Sequence, residues 1–198
     1  MKCTTSDWTK RSRVVVTAVL TLACGSDGAL APGDQTALAA PTAPTTPAAT
    51  NDDRAADLGS CTDLAAPAGS KLVFHVYATG VQIYRWNGTA WAFVAPDATL
   101  SADAGGRSKV GIHYAGPTWE SNSGSKVVGT ADKRCTPNAA AIPWLTLNVV
   151  SATGPGIFDR VTFIQRLETT GGLAPSSPGT AVGDVARVPY TAEYFFYR

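Results

Sequence analysis

The chain has little charge and no concentration of it. Asp, Glu, Lys and Arg make up 16% of its 198 residues, and the formal net charge is +1. From residue 58 onward eleven Lys and Arg face nine Asp and Glu, and Arg85, Arg107, Lys126, Arg160, Arg166 and Arg187 stand singly along the chain. Without a basic stripe, nucleic acid is not an expected partner. Histidine is limited to His75 and His113, so a metal site would need Glu120 or Asp97 beside both, with a further ligand unspecified. No two of the four cysteines lie close in sequence, which excludes CxxC redox chemistry and thiol-based zinc binding. There is no Gly-x-Gly-x-x-Gly after a strand and no βαβ alternation, so no dinucleotide cofactor is expected. A Gly-x-Ser-x-Gly elbow is also missing, and Ser123-Gly124-Ser125 reads as a hairpin turn, which argues against serine hydrolysis. Finally, no dozen-residue window carries a capped 3.6-residue apolar period, apart from a short turn near Ala95-Pro96-Asp97-Ala98.

What the chain does have begins with an export-like start. Lys2, Lys10, Arg11 and Arg13 precede the apolar run Val14 to Ala23, the order of a secretory signal peptide. At about ten residues the run is half of the roughly 20 that a membrane-spanning helix needs. Leu22-Ala23-Cys24-Gly25-Ser26 resembles a bacterial lipobox, with Thr21 where that motif usually has Leu. The resemblance implies a signal peptide over 1–23 and lipid attachment at Cys24, making a membrane the first expected partner. Cleavage near Ala23 to Ser26 by ordinary signal peptidase would instead release a secreted protein. Residues 24–57 are dominated by Ala, Pro, Thr, Gly and Asp and have almost nothing to bury, so they read as a disordered tether. Cys61 and Cys135 are then the two cysteines of the exported domain, 58–198, and one disulfide between them is expected in an oxidising compartment.

The domain reads as all-β. Lys71 to Ala78 is dense in β-branched and aromatic residues between Gly69 and Gly80, and Val81 to Trp86 alternates. Asn87-Gly88 then separates Trp86 from Thr89 to Val94, which predicts a tight hairpin on a type I′ turn with Trp86 and Trp91 near its tip. Further strands are expected at 108–114, 125–130, 142–150, 160–168 and 187–197, with a long loop over 173–185. About eight antiparallel strands with hairpin-like connections predict one sandwich or barrel.

Five ordered blocks across residues 70–197 carry a family resemblance. They run from Gly80-Val81-Gln82-Ile83-Tyr84-Arg85 with Trp91, through Gly111-Ile112-His113-Tyr114-Ala115-Gly116-Pro117-Thr118-Trp119-Glu120 and Gly124 to Gly129, to Ile142-Pro143-Trp144-Leu145, Val161 to Arg166 with Gly171-Gly172, and Val188-Pro189-Tyr190-Thr191-Ala192-Glu193-Tyr194. The pattern resembles domain of unknown function 3455, a family of exported bacterial and fungal proteins without an established activity. A malate dehydrogenase label attached to some fungal members finds no support in these residues, for want of the glycine motif and of length. Trp86 stands where many members have Cys.

Two sets of residues are candidates for chemistry. His113 and Glu120 flank a Gly116-Pro117 break with Tyr114 and Trp119 between them, and could serve a small hydrolase or a metal-dependent enzyme. One His and one Glu do not make a catalytic constellation, so a structural role is favoured, with Trp119 in the core and Glu120 paired to a cation. Trp86, Trp91, Tyr114 and Trp119 could form a platform for a carbohydrate or small apolar ligand, although a small β domain also buries such rings to build its core. Gln165-Arg166, between apolar neighbours, reads as a polar pair that pins the sheet or as a ligand clamp. The leading expectation is an exported, membrane-tethered binding or interaction domain for such a ligand or a protein partner. No cofactor or metal is assigned.

Overall fold

The computed structural model describes residues 56–198. The signal-like start, Cys24 and all but the last two residues of the proposed tether lie outside them. Eight strands follow in order: β1 (Leu72–Trp86), β2 (Trp91–Ser101), β3 (Lys109–Tyr114), β4 (Thr118–Ser121), β5 (Lys126–Cys135), β6 (Trp144–Thr153), β7 (Phe163–Gly171) and β8 (Val185–Tyr197). Each pairs antiparallel with its sequence neighbour, and β8 pairs with β1, so the sheet closes into a barrel. Of the two architectures expected, the barrel is the one formed. The 173–184 stretch is a loop, as read from the sequence.

The strand inventory differs from expectation in three places. Residues 71–78 and 81–86 are one strand, because Gly80 is extended and lies so close to the Asp97 carbonyl of β2 that a Cβ would collide with it. Glycine here admits a close backbone approach rather than breaking the strand. The turn expected at Ala95–Ala98 is instead the middle of β2. Pro96 is tolerated there because it pairs only with Gln82 of β1, while the β2–β3 ladder begins at Ala98, so its missing N–H deprives no neighbour. Thr118–Ser121 is an additional strand, too short to announce itself by periodicity.

The β1–β2 hairpin forms, but not on a type I′ turn. Residues 87–90 make a four-residue connection in which Gly88 alone has positive φ, at 97°. The Asn87 Oδ1 accepts from the N–H groups of Thr89 and Ala90 at 2.9 and 2.8 Å, so the asparagine acts through its side chain. Trp86 and Trp91 face each other across the strands, ring centroids 5.5 Å apart.

Period-two alternation divides the side chains between an interior and an outer face. Val76, Leu100, Trp119, Val127, Ile164 and Phe196 fill the barrel, and Phe158, from the β6–β7 connection, plugs its base against Phe196 and Phe74 at centroid distances of 4.9 and 6.0 Å. A second cluster lies outside the wall, where Cys61 and Leu64 cover Trp144, Phe163, Leu167, Phe195 and Tyr197. Cys61 and Cys135 form a disulfide there, Cα atoms 5.8 Å apart. Gln165 pins the same covering segment: its Nε2 donates to the Leu64 carbonyl at 2.6 Å, and its Oε1 accepts from the Tyr197 hydroxyl at 2.7 Å.

Candidate functional site

At the end opposite Phe158 the interior changes character. β2 has no β3 partner before Ala98, and Phe93, Val94 and Pro96 of this free stretch flank a cavity of about 300 Å³ that also reaches Gln82, His113, Trp119, Arg166 and Tyr194. Each interior group occupies an inward position of its strand: Gln82 on β1, His113 on β3, Trp119 on β4, Arg166 on β7, Tyr190 and Tyr194 on β8. The cross-strand partners His113 and Trp119, and Arg166 and Tyr194, place them side by side.

His113 is 2% exposed and held on three sides. Its ring stacks on Trp119 at 4.4 Å and 12°, meets the Tyr194 ring edge-on at 5.1 Å, and directs Nδ1 at the Thr118 carbonyl at 2.8 Å. A carbonyl only accepts, so Nδ1 carries the proton and Nε2 is an acceptor. Burial lowers the His113 pKa to about 3, with the Thr118 carbonyl opposing the shift and the Arg166 charge assisting it. The imidazole is therefore neutral at ordinary pH. Burial also raises the hydroxyl pKa values of Tyr190 and Tyr194, so both remain neutral donors.

Four polar atoms here are buried without a hydrogen-bond partner in the protein: Gln82 Nε2, Trp119 Nε1, Tyr190 Oη and Tyr194 Oη. The two hydroxyls neighbour each other, and that of Tyr194 lies near Arg166, in each case without a well-aligned bond. Buried polar groups are ordinarily satisfied, and each orphan costs about 1–3 kcal/mol. Arg166 is partly buried and forms no ion pair among the described residues. Its Nε and Nη2 both donate to the Pro143 carbonyl, at 3.2 and 2.7 Å.

The sequence-derived candidates divide between faces. His113 and Trp119 line the cavity, whereas Tyr114 and Glu120 take the intervening outward positions. There the Glu120 Oε2 accepts from the Tyr114 hydroxyl at 2.8 Å and meets Lys126 Nζ at 3.1 Å, and these two hydrogen bonds lower the Glu120 pKa. The barrel wall thus separates His113 from Glu120. His75 is also outward, stacked on Phe195 at 4.1 Å and bonded to Glu193 at 2.8 Å, and Asp97 pairs with Arg187 at 2.6 Å. Among the described residues no three His, Cys, Asp or Glu side chains gather as a metal site. Trp86 and Trp91 hold down the 173–184 loop: Trp91 Nε1 donates to the Ser177 carbonyl at 2.8 Å, and Gly179 rests on the Trp86 ring. Gln165 and Arg166 have opposite fates, one pinning the outer segment and the other entering the cavity. Gln82, Tyr190 and Tyr194 join the site by position: the spacing of Tyr190, Ala192, Tyr194 and Phe196 puts all four on one face of β8, and residue type alone gives Gln82 no distinguishing signal.

These features define an up-and-down β-barrel with an apolar base and a polar-lined cavity at its mouth. The chain belongs to the protein family of unknown function DUF3455, whose model matches residues 67–198. No curated protein and no solved structure matches it.

Proposed function

We propose that the domain is a small-molecule-binding barrel, displayed outside the cytoplasm on a tether anchored through Cys24. The observation that carries the binding reading is the cavity of about 300 Å³ with four unpartnered buried polar atoms beside it. A ligand that satisfied those atoms would recover the cost of burying them, and eight strands are enough for a barrel to hold one small ligand. The separation of His113 from Glu120 favours binding over the hydrolase or metal-dependent alternative.

N-phenyl-1-naphthylamine, a neutral apolar fluorophore, tests the reading. Saturable fluorescence enhancement is expected with the full-length protein and is lost in Ala131→Trp, which places an indole at the exposed rim of the cavity. No enhancement, or equal enhancement in the variant, would overturn it. The anchor is tested separately by metabolic labelling with an alkyne fatty acid, which should mark the natural chain and not Cys24→Ser.

A further inference from the structure

The geometry points to a small organic anion as the ligand of this cavity: a single carboxylate on a flat apolar body, its head seated against Arg166 and its body directed toward Phe93, Val94 and Pro96. This rests on the barrel being a ligand-binding domain and adds the chemical class of what it takes.

Three features of the lining select that class. Arg166 is the one charged side chain lining the cavity, and Asp97, the acid whose charge is felt at the Tyr190 hydroxyl, is already engaged by Arg187. A partly buried guanidinium without a carboxylate partner is incompletely compensated, and an incoming anion would offset it. The guanidinium is also pre-oriented: two of its five N–H groups are committed to Pro143, which leaves the rest of the planar fork for the paired bonds that carboxylates accept. Finally, the unpartnered atoms around it are donors. Gln82 Nε2 and Trp119 Nε1 can only donate, and the Tyr190 and Tyr194 hydroxyls donate equally well. An arrangement of one cation and several neutral donors matches one negative charge bearing several lone pairs. A phosphate dianion would remain under-neutralised by a single cation.

The rest of the site sets the remainder of the ligand. The His113–Trp119 stack offers a flat wall, and Phe93 and Val94, 55% and 49% exposed, form an apolar rim at the mouth. The volume is at the small end for ligand pockets, which suits a fused-ring acid and excludes a long-chain lipid.

The isosteric pair 2-naphthoate and 2-naphthamide, titrated into the purified full-length chain by calorimetry, tests the inference. The acid is expected to bind at least about tenfold more tightly than the amide. Arg166→Gln should reduce that ratio to about twofold or less by weakening the acid far more than the amide, and Arg166→Lys should keep much of the preference. Tyr194→Phe, which removes one hydroxyl from the same site, should weaken the acid severalfold and the amide less, so the inference stays testable if Arg166→Gln fails to fold. Equal affinities for acid and amide would overturn the anion assignment and leave the binding reading intact. Failure of both ligands to bind would overturn the anion assignment, and together with absent fluorophore enhancement it would overturn the binding reading as well.

Discussion

The two ends of the barrel interior are built from the same strands and do opposite things. Along β7 the inward positions pass from Ile164 at the base to Arg166 at the mouth, along β8 from Phe196 to Tyr194 and Tyr190, and along β1 from Val76 to Gln82. At the base the inward groups are apolar apart from Ser121 and Ser125, whose hydroxyls bond to each other at 3.0 Å, and Phe158 completes the packing. At the mouth the same alternation delivers an imidazole, a guanidinium, an amide and two phenols, several without partners. Two residues of strand therefore separate a position that stabilises the fold from one that holds unsatisfied polarity. The lesson is that burial alone does not mark a core: Tyr194 and Phe196 are equally inaccessible, and only the hydrogen-bond accounting tells them apart.

That contrast can be broken most severely at the base. Phe196→Ala should cost about 3–5 kcal/mol, the usual range for emptying a fully buried aromatic site, read as a lower urea midpoint at unchanged slope. A loss below about 1 kcal/mol would show that the base is not the stabilising end. Next, removing the disulfide with Cys61→Ser and Cys135→Ser should cost roughly 2–4 kcal/mol through the long loop it closes. Because that bridge lies outside the wall, 2-naphthoate affinity should be unchanged in the reduced-cysteine variant, and a matching loss of binding would refute the separation of the two regions.

The mouth responds to pH instead. His113 is neutral when folded, with its pKa lowered to about 3 from an ordinary value near 6.5. As pH falls the unfolded chain takes up this proton first, so the His113 contribution is complete above about pH 6.5 and is lost progressively down to about pH 3. Between pH 7 and pH 4 it should amount to about 3 kcal/mol, at 1.36 kcal/mol per pH unit. Urea midpoints of His113→Gln should fall less steeply with pH over that window than those of the natural protein. Parallel curves would contradict a neutral buried imidazole. The smallest effect is expected from Tyr194→Phe, which deletes an unpartnered hydroxyl and should change stability by less than about 1 kcal/mol in either direction. Set beside Phe196→Ala, it compares two buried rings two residues apart.

Much of this fold is legible in the sequence, for identifiable reasons. Alternation and turn residues mark five of the eight strands, β3 and β5 to β8, close to their final positions, and Asn87-Gly88 marks the β1–β2 connection. The choice between barrel and sandwich is not legible, because it rests on β1 pairing with β8 across more than a hundred residues, and local propensity carries no record of that. Gly80 and Pro96 mislead for a related reason. Each is tolerated through its position relative to a neighbouring strand, Gly80 through a close approach and Pro96 through an absent partner. At the site, His113 and Trp119 attract attention by residue type, but so do Tyr114, Glu120, Trp86 and Trp91, which the structure employs elsewhere. Strict application of the two-residue period around the Gly116-Pro117 turn separates His113 and Trp119 from Tyr114 and Glu120. Arg166 is distinguished from Gln165 only by knowing which face of β7 is enclosed.

The pairing of β8 with β1 also has a consequence for contact between copies of the domain. In an open sheet the outermost strands present unpaired N–H and C=O groups, a template on which another copy can add. Here the ladder runs around the circumference and returns to its starting strand, so there is no outermost strand to extend. Copies that touch would meet chiefly through side chains, which limits backbone-driven fibril growth to the stretch of β2 ahead of Ala98, where the second ladder is missing.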